Sequence, residues 1–173
     1  MKLYRARIPA IAHAVVEKLA DEGDIEVETE NRPEAEADLV AIMETYLRSD
    51  QDLRESVRTE MERRAIPYDQ YGKIRSEVAD SRGHPVGDDV DRFLARQFSE
   101  AFMLSRFVTE VYAEDREIYR KILDVLKAND VDERVLRAEA EERIKNIPEN
   151  SVERQEALNR ALREVRKRHG LIS

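Results

Sequence analysis

Residues 90–111 read VDRFLARQFSEAFMLSRFVTEV. Val90, Phe93, Leu94, Ala101, Leu104, Val108 and Val111 recur at helical spacing, and Phe98, Phe102 and Phe107 widen the stripe. All four phenylalanines of the chain fall here. A helix that is apolar over so much of its circumference packs on more than one side. The stretch therefore predicts one central helix, Val90 to Val111, at the heart of an all-α core.

The flanking sequence carries the same period. Ile8, Ile11, Ala12, Val15 and Leu19 mark a first helix over 4–21. Pro9 suits its opening turn and Gly23 its exit. Residues 24–30, DIEVETE, alternate like a short strand, but their polar members are nearly all acidic and read as an acidic loop. Leu39, Ile42, Met43, Tyr46 and Leu47 mark a second helix. The charged run 48–52 interrupts its stripe, and Leu53, Val57 and Met61 open a third helix that stops before Pro67. A further helix spans 71–82 and ends at Gly83. His84-Pro85-Val86-Gly87 reads as a linker.

Beyond the aromatic stretch, Ile118, Ile122, Val125 and Leu126 mark one helix. Val135, Leu136, Ala140 and Ile144 mark another, ending at Ile147-Pro148. Asn150, three residues before Glu153, resembles a capping box. The last helix carries Ala157, Leu158, Ala161, Leu162 and Val165 and stops at Gly170.

Composition agrees. Five glycines and five prolines in 173 residues leave little material for the turns of a strand-rich fold. Cysteine is absent, which excludes disulfides, thiolate catalysis and thiolate-bound metals. The opening MKLYRAR is followed by an apolar stretch that holds His13, Glu17 and Lys18, a poor secretory signal. No run reaches the ~18 apolar residues of a membrane span. The expectation is a cytoplasmic protein with no membrane contact.

The net charge of −8 hides a polarity. Residues 21–38 hold nine acids and one base, Arg32, whereas residues 154–169 hold six Arg or Lys and two acids.

The two halves resemble each other. Leu39–Pro67 aligns with Ile118–Pro148. Arg58, Glu60, Glu62 and Arg64 face Arg137, Glu139, Glu141 and Arg143, and Arg82-Gly83-His84 faces His169-Gly170-Leu171. Val15-Val16 faces Phe107-Val108 more loosely. The pattern predicts two tandem, diverged helical modules in a compact, bundle-like protein. Residues 1–84 form the first, with the acidic loop. Residues 85–173 form the second, with the aromatic helix and the basic C-terminal helix, and the acidic loop is nearly deleted from it.

The order of an N-terminal helix, Gly-Asp-Ile-Glu-Val-Glu (23–28), an acidic helix, Leu-Arg-Glu-Ser-Val (53–57) and a basic terminal helix resembles the bacterial domain-of-unknown-function 507 family. The resemblance covers each half once, and the second half lacks the Gly-Asp-Ile-Glu stretch. It implies a helical fold in a bacterial cytoplasm. It brings no catalytic residues.

No catalytic site is expected. His13 and Glu17 lie one turn apart, but two ligands are too few for a metal, and no other histidine is near in sequence. The chain has no Gly-rich phosphate loop, Gly-x-Ser-x-Gly or His-Glu-x-x-His. Its carboxylates fall mainly on polar helix faces. No cofactor is expected.

Two surfaces stand out. Arg160, Arg163, Arg166, Lys167 and Arg168 form a basic patch. It could follow phosphates, complement the helix dipole, or meet the acidic 21–38 stretch. Reversing Arg163, Arg166 and Arg168 to glutamate is expected to remove such binding and spare the fold. Tyr68, Tyr71, Phe98 and Phe102 form a candidate interface. The leading expectation is a non-enzymatic protein-interaction or scaffold module with an unidentified protein partner, self-association included. An RNA- or DNA-associated accessory protein using the basic helix ranks second, because the net charge opposes a dedicated nucleic-acid binder.

Overall fold

A computed structural model describes residues 1–149 and 151–173, and the side chain of Val152 is outside the description. Asn150, and with it the expected capping box, lies outside the described residues.

The chain is all-α. After a 3-10 turn at Arg5–Arg7, the helices are α1 (Ile8–Asp21), α2 (Arg32–Arg63), α3 (Tyr71–Arg82), α4 (Asp89–Leu104), α5 (Asp115–Ala128), α6 (Glu133–Arg143) and α7 (Val152–Arg168). Two short strands, β1 (Ile25–Glu26) and β2 (Glu110–Val111), pair antiparallel, with Ile25 opposite Val111.

The main core joins α1, the first half of α2, α4 and α5. Ile11, Val15, Leu19, Leu39, Leu94, Phe98, Ile118 and Leu126 are fully or almost fully buried in it. Each such side chain contributes about 1.5–3 kcal/mol of hydrophobic stabilisation. The core draws on both sides of the 84/85 linker. Two helical hairpins project from it, each with its own small core. The second half of α2 packs on α3 through Leu53, Val57, Met61, Ile74 and Ala79. Helix α6 packs on α7 through Leu136, Ala140, Leu158 and Val165, joined by Tyr4.

The aromatic stretch is central, as expected, but its helix stops at Leu104. Ser105 turns extended, its hydroxyl donating to Asp38 Oδ2 (2.9 Å) and accepting from the Phe107 amide (3.2 Å). A short hydroxyl side chain that satisfies the local backbone competes with helix continuation. The β-branched run Val108-Thr109 then leads into β2, and the Thr109 amide donates to the Glu26 carbonyl (2.8 Å). The alternating 24–30 segment therefore does supply a strand. The connection between α4 and α5 thus carries a strand of its own, and Phe107-Val108 lie outside a helix whereas Val15-Val16 lie within α1.

Lys121 of α5 fastens this ribbon. Its ammonium donates to both oxygens of the buried Asp24 carboxylate (2.8 and 2.7 Å) and lies 2.9 Å from Glu22 Oε2. Its hydrogen bonds to Asp24 and Glu22 hold this ammonium above its ordinary range.

Where the sequence predicts two helices, α2 runs unbroken for 32 residues, about 48 Å. Met43, Tyr46, Asp50, Leu53, Val57 and Met61 form a single buried stripe in which Asp50 occupies an apolar phase. Asp50 is only 4% exposed. Arg54 lies 2.8 Å from Oδ2, Arg75 of α3 donates to Oδ1 at 2.8 Å, and His84 Nε2 lies 3.5 Å from Oδ1. The Tyr46 ring stacks on His84 at 5.1 Å, and its hydroxyl donates to the Pro85 carbonyl (3.2 Å). Burial, then the Asp50 charge, pushes the Tyr46 phenol up to about 12. The charged run 48–52 is thus an ion-paired joint inside one helix.

Both halves close alike. After α3, Gly83 (φ 62°) takes the left-handed conformation, with its amide on the Asp80 carbonyl and that of His84 on Ala79. After α7, Gly170 (φ 65°) repeats this, with its amide on Lys167 and that of Leu171 on Arg166. A Cβ in this conformation costs energy, which favours glycine here. Helix α7 opens on Ser151, whose hydroxyl accepts from the Arg154 amide (3.2 Å).

Burial raises the Asp50 pKa, but Arg54 and Arg75 outweigh it and hold the carboxyl below its ordinary value. Its stabilisation is therefore present above the unfolded pKa of about 4 and lost as pH falls through the lower folded value. Asp50→Asn is expected to lower stability at pH 7 by about 1–3 kcal/mol. Urea melts should show the gap between wild type and variant closing below pH 4.

Candidate functional site

The space between the two hairpins forms a cleft. One part, about 980 Å³, lies between α2–α3, the N-terminal segment and the α5–α6 turn, with Tyr68, Tyr71, Arg75 and Arg134 on its walls. A neighbouring part, about 760 Å³, runs towards Arg166 and the C-terminal residues 171–173. The two parts share Lys2, Leu3, Leu47, Asp50, Arg54 and Arg58, so they are the two ends of one cleft.

The middle of the cleft is cationic. Arg54 and Arg58 project one turn apart from α2, with Lys2 beside them. Arg54 is ion-paired to Asp50, whereas Arg58 enters no ion pair among the described residues. Burial lowers the Lys2 pKa, as do the neighbouring charges of Arg166 and Arg54, against the upward pull of Glu133. At the α3 end, Tyr68 is 81% exposed and stacks on Tyr71 at 5.5 Å. The Tyr68–Gln70 turn, which leads straight into Tyr71 of α3, follows Pro67, whose extended backbone separates the turn from α2.

Glu133 organises the opposite wall. It accepts from the Tyr4 hydroxyl and from Arg166 (2.7 Å), and Lys2 lies 3.6 Å away. Burial raises this carboxyl, but Tyr4 and Arg166 outweigh it and hold it below the usual range. Burial, then the bond to Glu133, pushes the Tyr4 phenol well up.

The sequence-derived sites divide sharply. Tyr68 and Tyr71 are at the cleft. Phe98 and Phe102 are buried in the main core and present no surface, because the helix that carries them is packed on several sides. The five cations of the basic patch differ in their surroundings. Arg166 is engaged with Glu133, and Arg168 with Glu139 of α6, which also holds His169 Nε2 at 2.9 Å. Arg160, Arg163 and Lys167, at i, i+3 and i+7, remain exposed on one face with no ion pair among the described residues. Among the described residues, no ion pair joins the acidic 21–38 stretch to α7. Its ionic partners are His13, Lys18, Arg32 and Lys121.

The sequence reading overlooked Arg54 and Arg58 as cleft residues. Asp50 was the available signal: a carboxylate in phase with Met43, Tyr46, Leu53 and Val57 requires cations nearby.

The family model described as Protein of unknown function (DUF507) matches residues 1–171. The chain belongs to the DUF507 family. The DUF507 match spans both halves in one stretch, so the family's unit includes the cleft and both hairpins. No curated protein matches the chain. Among the described residues, no helix of this DUF507 protein is long and apolar enough to cross a membrane.

Charge reversal on α7 should separate structure from surface. Arg166→Glu sets a carboxylate against Glu133 and is expected to cost about 1–3 kcal/mol. The triple change Arg160→Glu, Arg163→Glu, Lys167→Glu should alter stability by no more than about 0.5 kcal/mol per substituted residue. Paired thermal melts read both.

Proposed function

We propose that this DUF507 protein is a non-enzymatic interaction module whose inter-hairpin cleft takes an extended, acidic segment of a partner protein. The cleft's cationic middle carries this reading, above all Arg58, which has no ionic partner among the described residues. A chain with net charge −8 repels acidic ligands over most of its surface. Concentrating cations in a recess creates a local exception and gives the encounter an orientation. The stacked Tyr68–Tyr71 pair supplies rigid aromatic area at the mouth, the residue type enriched in binding hot spots.

RNA is the second reading. The exposed tyrosine stack suits an unpaired base, and Arg160, Arg163 and Lys167 offer phosphate contacts. It ranks lower because α7 keeps only part of its expected patch.

We also infer that the halves descend from one duplicated module. In support, α1–β1–α2–α3 and α4–β2–α5–α6–α7 share an order of elements, with α2 standing where α5 and α6 stand together, and both end on the same glycine cap. The proposal includes a cytoplasmic setting, in keeping with the cysteine-free composition.

Tagged wild type and Arg58→Glu/Tyr68→Ala, both at exposed positions, should be compared in pull-downs from the native host. The expected result is a protein retained by wild type and lost by the variant; identical captures would refute the cleft as the docking site. In parallel, fluorescence anisotropy with a single-stranded RNA 12-mer at low salt should stay flat. Salt-sensitive RNA binding weakened by the Arg160, Arg163 and Lys167 reversals would make RNA the better reading.

A further inference from the structure

Sequence spacing placed His13 and Glu17 one turn apart and supplied no third ligand. The fold supplies one. Glu36, near the start of α2, faces them across the α1–α2 interface, and ligand atoms from all three side chains lie within 4.8 Å of one another. We propose that His13, Glu17 and Glu36 bind a divalent first-row transition cation that bridges α1 to α2.

The donor set fits such an ion. An imidazole with two carboxylates offers one nitrogen and two oxygens, a combination suited to zinc, iron or nickel rather than to calcium. Two carboxylates and a neutral imidazole also balance a dipositive charge. Three protein ligands leave coordination positions for water.

The backbone beneath the cluster is well fixed. Ala12, Val15 and Val16 of α1 and Ala35 and Leu39 of α2 are buried in the main core. The spacing of the ligating helices is thus set by packing, and only side-chain rotation is needed to close the site. His13 is 63% exposed, so an ion can enter from solvent.

Both carboxylates are already held by positive or proton-donating groups. His13 Nδ1 lies 2.8 Å from Glu36 Oε1, within hydrogen-bond distance. Arg32 places its guanidinium 2.6 Å from Glu17 Oε1 and 3.4 Å from Asp21 Oδ1. A metal ion must displace both the shared proton and the guanidinium. The site therefore has an internal competitor, and removing Arg32 should strengthen metal binding, whereas a purely structural ion pair would yield no such gain. None of the three ligands lines the cleft, so the site stands apart from the docking proposal.

The test uses the full, tag-free chain, with Zn²⁺ titrated by calorimetry at pH 7.5 and Co²⁺ followed by its visible absorption. Wild type should bind one Zn²⁺ per chain. His13→Ala and Glu36→Gln should each weaken binding roughly tenfold or more. Arg32→Gln should tighten it severalfold, and His169→Ala, which alters the other exposed histidine–glutamate pair, should leave it unchanged. Circular dichroism confirms that each variant is folded. Absence of Zn²⁺ binding by wild type, or equal affinity in folded His13→Ala, would overturn the proposal. So would a loss of affinity in Arg32→Gln.

Discussion

Asp50 stands where α2 leaves the main core and enters the hairpin core, and its carboxylate needs compensating charge for both to form. It lies in the same stripe as Met43 and Val57, so water reaches it poorly. An isolated buried carboxylate is costly, and cations with good geometry are the remedy short of protonation. Arg54 comes from the same helix, Arg75 from α3, and His84 from the linker after α3. One charge therefore fixes the angle of α3, the path of the linker and the direction in which Arg54 enters the cleft. An apolar side chain here would pack, but it would not orient the Arg54 and Arg75 guanidinium groups.

Much of the fold was legible because helical period and terminators agreed. Helix α3 follows the expected 71–82 because Gly83 supplies an unambiguous stop, and α5 follows its Ile118–Leu126 stripe. Where reading failed, the deciding contact was distant in sequence. Ser105 ends α4 partly through Asp38, and β2 exists because residues 24–26 offer it an edge. Val135 shows the opposite error: it matches the helical period of α6 yet is largely exposed. Periodicity says which residues share a face, but not which face finds a partner.

The candidate sites were less legible, for a related reason. A charged side chain reveals its type in the sequence but not its partner. Arg166 looked like a surface cation and is a partly buried clasp on Glu133, whereas Arg58 looked like ordinary helix surface and lines a recess. Glu36 was one acid among nine in its stretch until α1 and α2 packed and set it beside His13. The acidic stretch and the basic helix, opposed on paper, take the ion pairs they form from nearer neighbours, and Arg160, Arg163 and Lys167 form none among the described residues.

The pairing of Ile25 with Val111 also bears on how the chain matures. The buried faces of α1 and early α2 are completed by α4 and α5, whose residues emerge later from a ribosome that delivers the chain from its N-terminus. Until about residue 126 is available, Val15, Leu19 and Leu39 lack the neighbours that shield them in the finished core. Vectorial synthesis thus leaves an interval in which the first half carries an open apolar surface, the condition under which nascent chains aggregate or engage chaperones. The acids dense between residues 21 and 38 flank that surface, and like charges so placed oppose the close approach of two such chains.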